Sequence, residues 1–215
     1  MTDTRETMPG SETKRPPGPD RLGAFSDAVI AVIITLMVLE LKAPDQPTFA
    51  ALARLWPTAL SYAVSYLFIA IIWINHHHLV RFVRVPTTRL IWLNFLHLFL
   101  VSLVPFATQW VARTELGALP VMAWALTFFC VDAAYLAFEG AVMAQADCSQ
   151  VPEKAKRQAR IRSVITLAIF ATAGAAAFVS SLCGVVLICA ALSFFVRPEV
   201  PELRLATAET DQSAD

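Results

Sequence analysis

Charged residues are scarce in this chain. Asp, Glu, Lys and Arg make up 16% of its 215 residues, whereas hydrophobic residues make up 57%, and the mean hydropathy is +0.59. A soluble domain of this length carries about 25% charged residues. The 17 basic and 17 acidic residues balance, so the basic excess that a nucleic-acid surface requires is missing. The composition predicts an all-α polytopic membrane protein that lies in a lipid bilayer and does not bind nucleic acid.

Cysteine is also rare, and its pattern excludes several kinds of site. The four cysteines are Cys130, Cys148, Cys183 and Cys189, and no two of them form a CxxC pair. Three lie in apolar runs, which is typical of small buried residues and not of a disulfide framework or a zinc site. No HExxH motif or nucleophile–base constellation is present, so we expect neither an enzyme nor a cofactor.

Apolar runs long enough to span a bilayer dominate the rest of the chain. They comprise residues 22–41, 57–79, 90–111, 120–145 and 163–196. The last run is too long for one helix, and we divide it near Ser180 and Ser181 into a hairpin of two short helices. This gives six transmembrane helices within one domain of residues 21–197. Residues 1–20 form a predicted disordered tail, with Asp20 a possible N-cap, and residues 198–215 form a second polar tail.

The distribution of basic residues predicts the orientation. Fourteen of the 17 Lys and Arg residues lie before the first helix, in alternate connections, or after the last helix. By the positive-inside rule both termini are cytoplasmic, which requires an even number of helices. We expect a multi-pass protein of a cell membrane, the inner or plasma membrane of a bacterium.

The first helix carries polar residues for which lipid anchoring gives no reason. Arg21, Ser26 and Asp27 lie in its first two turns, and a buried carboxylate costs roughly 2.5–3.5 kcal/mol at mid-bilayer and less near an end. We therefore expect partners for Asp27. One face of the same helix carries an apolar stripe with one hydroxyl group. Such a stripe can line an ion pathway, or it can be an ordinary face that packs in the core or against lipid. The stripe comprises Ala28, Val32, Thr35, Leu36 and Leu39.

The second helix ends with three consecutive histidines, His76, His77 and His78. Consecutive helical residues point about 100° apart and cannot converge on one metal ion, so we expect no metal site. We expect instead that one histidine, together with Trp73 or Asn75, hydrogen-bonds Ser26 and Asp27 at the same membrane depth. A histidine beside Asp27 could also make conduction respond to pH.

Two intramembrane carboxylates, Asp132 and Glu139, lie seven residues apart on one face of the fourth helix. Such groups mark a proton or cation route, or else form an interhelical hydrogen bond or ion pair. Both interpretations stay open. A proton- or cation-coupled transporter is therefore the alternative function, although the chain shows neither an inverted repeat nor a pair of broken helices.

The pattern R-x-x-x-F-S-D from Arg21 to Asp27, followed by A-V-x-x-T-L-x-V-L-E-L, resembles the endosomal and lysosomal potassium-channel family, whose bacterial members have one six-helix unit per chain. The resemblance implies a homotetramer whose first helices line a potassium-selective pore without a TVGYG filter, a motif that is also missing here. Potassium is then the permeant ion.

The resemblance also implies roles for particular residues. Val32 takes the position of the main hydrophobic constriction, where the family usually has isoleucine or leucine, so the constriction could be less tight or pass to a neighbouring ring. Thr35 forms a hydroxyl ring, and Leu36 and Leu39 form further apolar rings. The residues expected to support the pore helix are Arg21, Phe25, Ser26, Asp27, Trp73, Asn75 and His77.

Overall fold

The computed structural model describes residues 18–145 and 153–195, and every regular element in these two segments is an α-helix. In chain order the helices are α1 (Gly18–Leu39), α2 (Phe49–Arg54), α3 (Trp56–Val80), α4 (Thr88–Ser102), α5 (Val104–Arg113), α6 (Ala118–Met143), α7 (Glu153–Ala177) and α8 (Ser181–Phe195). The predicted C-terminal tail, residues 1–17 of the N-terminal tail and Cys148 lie outside the described residues.

Five stretches of the described chain are long and apolar enough to cross a membrane. They are Asp20–Leu39, Trp56–Val80, Thr88–Arg113, Ala118–Met143 and Arg160–Ala177. Helix α8 has 15 residues, a length of about 22 Å at 1.5 Å per residue, which is short of the roughly 30 Å hydrocarbon layer. The chain is a multi-pass helical membrane protein, and a sixth complete crossing stays a prediction.

Several helix boundaries differ from the predicted ones, and two differences lie at the start of α1 and within the third predicted helix. Helix α1 begins at Gly18, so Asp20 lies in its first turn and is not the N-cap; a carboxylate there interacts favourably with the helix dipole. The predicted helix 90–111 is divided at Leu103 into α4 and α5. Pro105 is responsible, since it has no N–H to offer to the carbonyl one turn earlier.

The last two helices form a tight hairpin whose turn follows Ala177, and α8 starts at Ser181. Helix α7 is longer than predicted because its helical backbone continues back through the charged segment to Glu153. A Cβ atom on Gly184 would lie 3.0 Å from the Ala173 carbonyl oxygen and 3.0 Å from the Ala177 Cβ. Small residues therefore let α7 and α8 approach closely.

Aromatic rings from three helices fill the centre of the bundle. Phe68 of α3 stacks on Phe128 of α6 with ring centroids 3.9 Å apart, and Phe170 of α7 meets Phe128 edge-on at 5.6 Å. The buried Trp124 indole donates a hydrogen bond to Ser65 Oγ at 2.9 Å. Helix α1 packs beside this core against α3 and α4, so one of its sides is held by the bundle.

Candidate functional site

Helix α1 has a packed face and an uncovered face on opposite sides. Its buried residues are Ser26, Ile30, Ile33 and Met37, which recur at helical spacing. The residues of the predicted stripe, Ala28, Val32, Thr35, Leu36 and Leu39, lie on the other side, and Val32, Leu36 and Leu39 are exposed within one chain. The bundle therefore holds α1 by one face and presents the apolar stripe outward.

The exposure of this stripe is large for apolar side chains. Val32 is 55% exposed, Leu36 50% and Leu39 74%. The stripe's only polar side chain, Thr35, donates its hydroxyl hydrogen to the Val32 carbonyl oxygen at 2.9 Å. The face is thus apolar apart from one hydroxyl oxygen on each chain.

Asp27 meets polar partners from α3. The Trp73 indole Nε1 donates to Asp27 Oδ1 at 2.9 Å, and His77 Nδ1 lies 3.7 Å from Asp27 Oδ2. Trp73 and His77 also contact each other, with ring centroids 5.4 Å apart. One Arg81 guanidinium nitrogen lies 3.1 Å from His77 Nε2. The carboxylate near the start of α1 is therefore bound to α3 and not exposed to lipid alone.

Ser26 is held by a separate, fully buried hydrogen-bond chain. His76 Nε2 lies 2.7 Å from Asn94 Oδ1, and since a carbonyl oxygen only accepts, the imidazole donates. Asn94 Nδ2 donates to Ser26 Oγ at 2.9 Å, and Ser26 donates to the Leu22 carbonyl oxygen at 2.9 Å. Ser26, His76 and Asn94 are all 0% exposed. The chain joins α3, α4 and α1 through directed hydrogen bonds.

The other expected supporting residues occupy different positions. Phe25 is exposed and meets Phe95 of α4 edge-on, with centroids 5.4 Å apart, and Arg21 is exposed. Asn75 contributes its backbone carbonyl, which accepts from the Tyr135 hydroxyl at 3.4 Å. Of the two side chains expected beside Asp27, the structure places Trp73 there and not Asn75.

Asn94 is the central residue that sequence reasoning did not assign to this site. Its amide reaches both Ser26 and His76, although Ser26 is 68 residues away in the chain. The sequence does indicate that Asn94 has partners, because an asparagine buried in an apolar helix requires hydrogen-bond partners at its own membrane depth. The sequence does not indicate which side of α4 faces α1.

A second polar group lies deeper in the bundle. His97 Nδ1 donates to the Val131 carbonyl oxygen at 3.2 Å, and its ring stacks 5.8 Å from that of His76. Within the described part of the chain, four buried polar atoms have no hydrogen-bond partner. They are His76 Nδ1, His97 Nε2, Asp132 Oδ2 and Glu139 Oε2. The same part contains no group of three or more His, Cys, Asp or Glu placed to hold a metal ion.

A cleft of about 760 Å³ opens between the start of α1 and the end of α3. Asp20 and Asp27 line one side, and His76, His77 and Arg81 line the other. The partners of Asp27 are therefore reached from the end of the bundle that carries the start of α1.

The chain is similar in sequence to several known proteins. Residues 21–105 match the family model described as the endosomal/lysosomal potassium channel TMEM175. A potassium channel of Chryseobacterium sp. (strain P1-3) is 38% identical over 123 residues, 57% of this chain and 64% of that protein. A potassium channel of Streptomyces collinus is 42% identical over 97 residues, covering 43% of this chain and 47% of that protein.

More distant relatives include the human endosomal/lysosomal proton channel TMEM175, 32% identical over 102 residues, which are 42% of this chain and 20% of that protein. The chain spans less than two thirds of the length of each of these three relatives. The same fold is found in the crystal structure of a lysosomal potassium-selective channel TMEM175 homolog from Chamaesiphon minutus, with a TM-score of 0.73. The two sequences are 24% identical, and the match covers 83% of this chain and 96% of that chain. Residues 21–105, which include α1 and its anchors on α3 and α4, are thus similar to the endosomal/lysosomal potassium channel TMEM175 family.

Proposed function

We propose that this protein is a passive, potassium-selective cation channel whose pore is lined by α1 helices from four copies of the chain. The observation that carries the proposal is the two-faced α1: one face is buried in its own bundle, while the opposite face exposes Val32, Leu36 and Leu39. Four such faces around an axis exclude lipid from the apolar stripe and enclose a narrow path. The similarity to bacterial proteins that are named potassium channels supports the same conclusion.

Rings of apolar side chains control ions by dewetting. A constriction lined by Val32, Leu36 or Leu39 holds water poorly, so an ion crosses it only where the path is wide enough to stay hydrated or where oxygen atoms replace lost water. The Thr35 oxygens lie between the Val32 and Leu39 levels and supply such a ring. The proposed permeant ion is potassium, and the proposal includes no resident cofactor. The protein is expected to act in a bacterial plasma membrane.

The anchors of α1 support this interpretation because a pore needs a fixed wall. The bond from Trp73 to Asp27 and the buried chain through Asn94 hold the first turns of α1 against α3 and α4. Both sets of contacts leave the stripe free. The polar residues at the start of α1 thus act as supports for the pore helix and not as ion ligands.

The test is ion flux from purified protein in liposomes with a potassium gradient, measured separately for potassium, sodium and protons. Replacing Leu36 by Asn removes one apolar ring and is expected to raise flux and weaken the preference for potassium. Leu126→Asn is the matched control, since Leu126 on α6 is 57% exposed and lies away from α1. Equal effects of the two variants would contradict a pore along α1, and the mass of the purified complex tests the four-copy arrangement.

The alternative is a proton- or cation-coupled carrier that uses Asp132 and Glu139. It is favoured by one observation: each of these side chains keeps a buried oxygen atom without a hydrogen-bond partner in the described chain. A carrier would lose transport in Asp132→Asn or Glu139→Gln and would require an opposing gradient of the coupled ion. The channel is expected to conduct potassium along its gradient with no coupled ion.

A further inference from the structure

Helix α7 carries an exposed face that is basic at its start and apolar further along. Arg157, Arg160, Ile161, Val164 and Ile165 recur at the i, i+3, i+4, i+7 and i+8 spacing of one helix face. Both arginines are exposed, and Ile161, Val164 and Ile165 are 46%, 51% and 41% exposed. These five residues are called the α7 face below.

The α7 face points away from the bundle. The buried side of α7 carries Phe170, Ala173 and Ala177, and the helix packs against α6 and α8. Helix α1 packs instead against α3 and α4, so the α7 face is separate from the exposed stripe of α1. Lipid acyl chains are as apolar as leucine, so the isoleucine and valine side chains of the α7 face are suited to contact them.

The length of the membrane segment sets the depth of the two arginines. The segment Arg160–Ala177 contains 18 residues, which span about 27 Å at 1.5 Å per residue, close to the roughly 30 Å hydrocarbon layer. Arg160 therefore lies at the boundary of that layer, and Arg157 lies about 4.5 Å further out along the helix. Lipid headgroups occupy this depth, and a long arginine side chain keeps its charge there while its stem covers apolar surface.

The spacing of the two arginines fits a phosphate group. Side chains three residues apart are neighbours on a helix, with Cβ atoms about 5–6 Å apart. Each guanidinium presents N–H donors in a planar fork that matches the oxygens of a phosphate. Within the described segments neither guanidinium has a hydrogen-bond or ion-pair partner. Both forks are therefore available to one headgroup.

The charge at this end of the bundle favours an anionic headgroup. The connection between α3 and α4 contacts the end of α6 through the Val85 N–H, which donates to Gln145 Oε1 at 3.3 Å, and it adds Arg81, Arg84 and Arg89 to the basic residues of α7. A zwitterionic headgroup carries its own cation, which these arginines repel, whereas an anionic headgroup is attracted. At the opposite end acidic and basic residues are equal in number: Glu40, Asp45, Glu115, Lys42, Arg54 and Arg113.

We propose that the α7 face binds one anionic phospholipid, with its phosphate held by Arg157 and Arg160 and an acyl chain along Ile161, Val164 and Ile165. The apolar part of the face selects a lipid over a soluble phosphate, because only a lipid has a chain to cover it. The site lies on a different helix from the stripe of α1, so it does not depend on the proposed function.

The test is photolabelling of the purified protein in phosphatidylcholine liposomes that contain a trace of phosphatidylglycerol with a diazirine on one acyl chain. Peptide mass spectrometry locates the adduct, which we expect on residues 161–168. A phosphatidylcholine probe with the same diazirine chain should label this segment about thirtyfold less, since each arginine contributes about fivefold to the binding of an anionic headgroup.

Paired variants separate the proposed site from general charge. Arg157→Gln/Arg160→Gln is expected to remove this preference, whereas Arg54→Gln/Arg113→Gln, which removes the same charge from exposed arginines at the opposite end, should leave it unchanged. Arg157→Lys/Arg160→Lys keeps the charge but loses the planar forks, so it should keep only part of the preference. Excess glycerol 3-phosphate, which has a phosphate and no acyl chain, should not compete.

Three results would overturn the proposal. Equal labelling by the two probes, or a preference that survives Arg157→Gln/Arg160→Gln, would show that the α7 face does not select an anionic lipid. Full preference in the lysine variant would exclude recognition by the guanidinium forks. Loss of labelling with glycerol 3-phosphate would exclude a lipid as the occupant. Photolabelling requires no conduction, so its result is independent of the flux assay.

Discussion

Replacing Asn94 by Leu is the most direct test of how α1 is held. The substitution keeps the approximate volume and removes every polar atom of the side chain. Ser26 keeps its bond to the Leu22 carbonyl, but His76 loses the partner of its Nε2 while its Nδ1 is already without one. A fully buried imidazole with no hydrogen bond costs about 1–3 kcal/mol, so the free energy of unfolding should fall by about that amount.

The measurement is unfolding of the purified protein in detergent micelles, followed by SDS titration. Asn75→Leu is the matched control, because the Asn75 side chain is half-buried and only the backbone carbonyl of this residue accepts the Tyr135 hydroxyl. A change within about 0.5 kcal/mol is expected for that substitution. If Asn75→Leu destabilises the protein as much as Asn94→Leu, the loss comes from packing and the proposed hydrogen-bond chain has no special role.

A double variant sharpens the result. In His76→Phe/Asn94→Leu both partners become apolar, and the new ring replaces one that stacks between His97 and Phe138, with centroids 5.8 and 5.3 Å away. Replacing both members of a buried polar pair by apolar groups of similar shape is nearly neutral. The double variant should therefore be more stable than Asn94→Leu alone. A loss equal to the sum of the two single losses would refute the reasoning.

Three further substitutions test other contacts with the same unfolding assay. Gly184→Ala places a Cβ 3.0 Å from the Ala173 carbonyl oxygen and should lower the free energy of unfolding by about 1–3 kcal/mol. Its control is Gly140→Ala, where a Cβ would meet nothing within 4 Å, and this change should raise the free energy of unfolding by about 0.5–1 kcal/mol. Changes of the same sign in both variants would contradict close packing of α7 against α8. Ser65→Ala leaves the buried Trp124 indole N–H without its acceptor and should lower the free energy of unfolding by about 1–3 kcal/mol. The control is Ser102→Ala, because Ser102 is exposed and donates to a carbonyl of its own helix; it should lower the free energy by less than about 0.5 kcal/mol. Trp73→Phe removes the donor to a half-exposed Asp27 and should cost about 1 kcal/mol; no loss would mean that water replaces the indole.

The sequence predicts the helical class and most of the membrane segments because long apolar runs admit few other structures. Hydrophobic spacing was also sufficient to identify the α1 stripe, since a helix has a fixed period. The apolar run 90–111 does not predict the division at Leu103, because the run continues through Pro105 although this residue lacks a backbone donor. The apolar pattern also predicts a later start for α7 than Glu153, because charged residues end an apolar run but do not end a helix.

The anchors of α1 were harder to predict. Matching membrane depth was enough to bring Trp73 and His77 near Asp27, since both helices cross the same layer. The choice between Trp73 and Asn75, and the role of Asn94, depend on how α3 and α4 are rotated about their axes. That rotation is set by packing across the whole bundle, including the Phe68–Phe128 stack. The sequence of one helix is therefore not sufficient to predict it.

The hydroxyl of Thr35 has one hydrogen, and the Val32 carbonyl already receives it. The oxygen that remains turned outward carries lone pairs and no proton to donate. A species that stands against the stripe at this level therefore meets a Lewis base: a cation can be coordinated there, whereas an anion finds no donor. In the proposed pore, discrimination by the sign of charge would therefore follow from the backbone hydrogen bonding of α1, without an ionised side chain on the stripe.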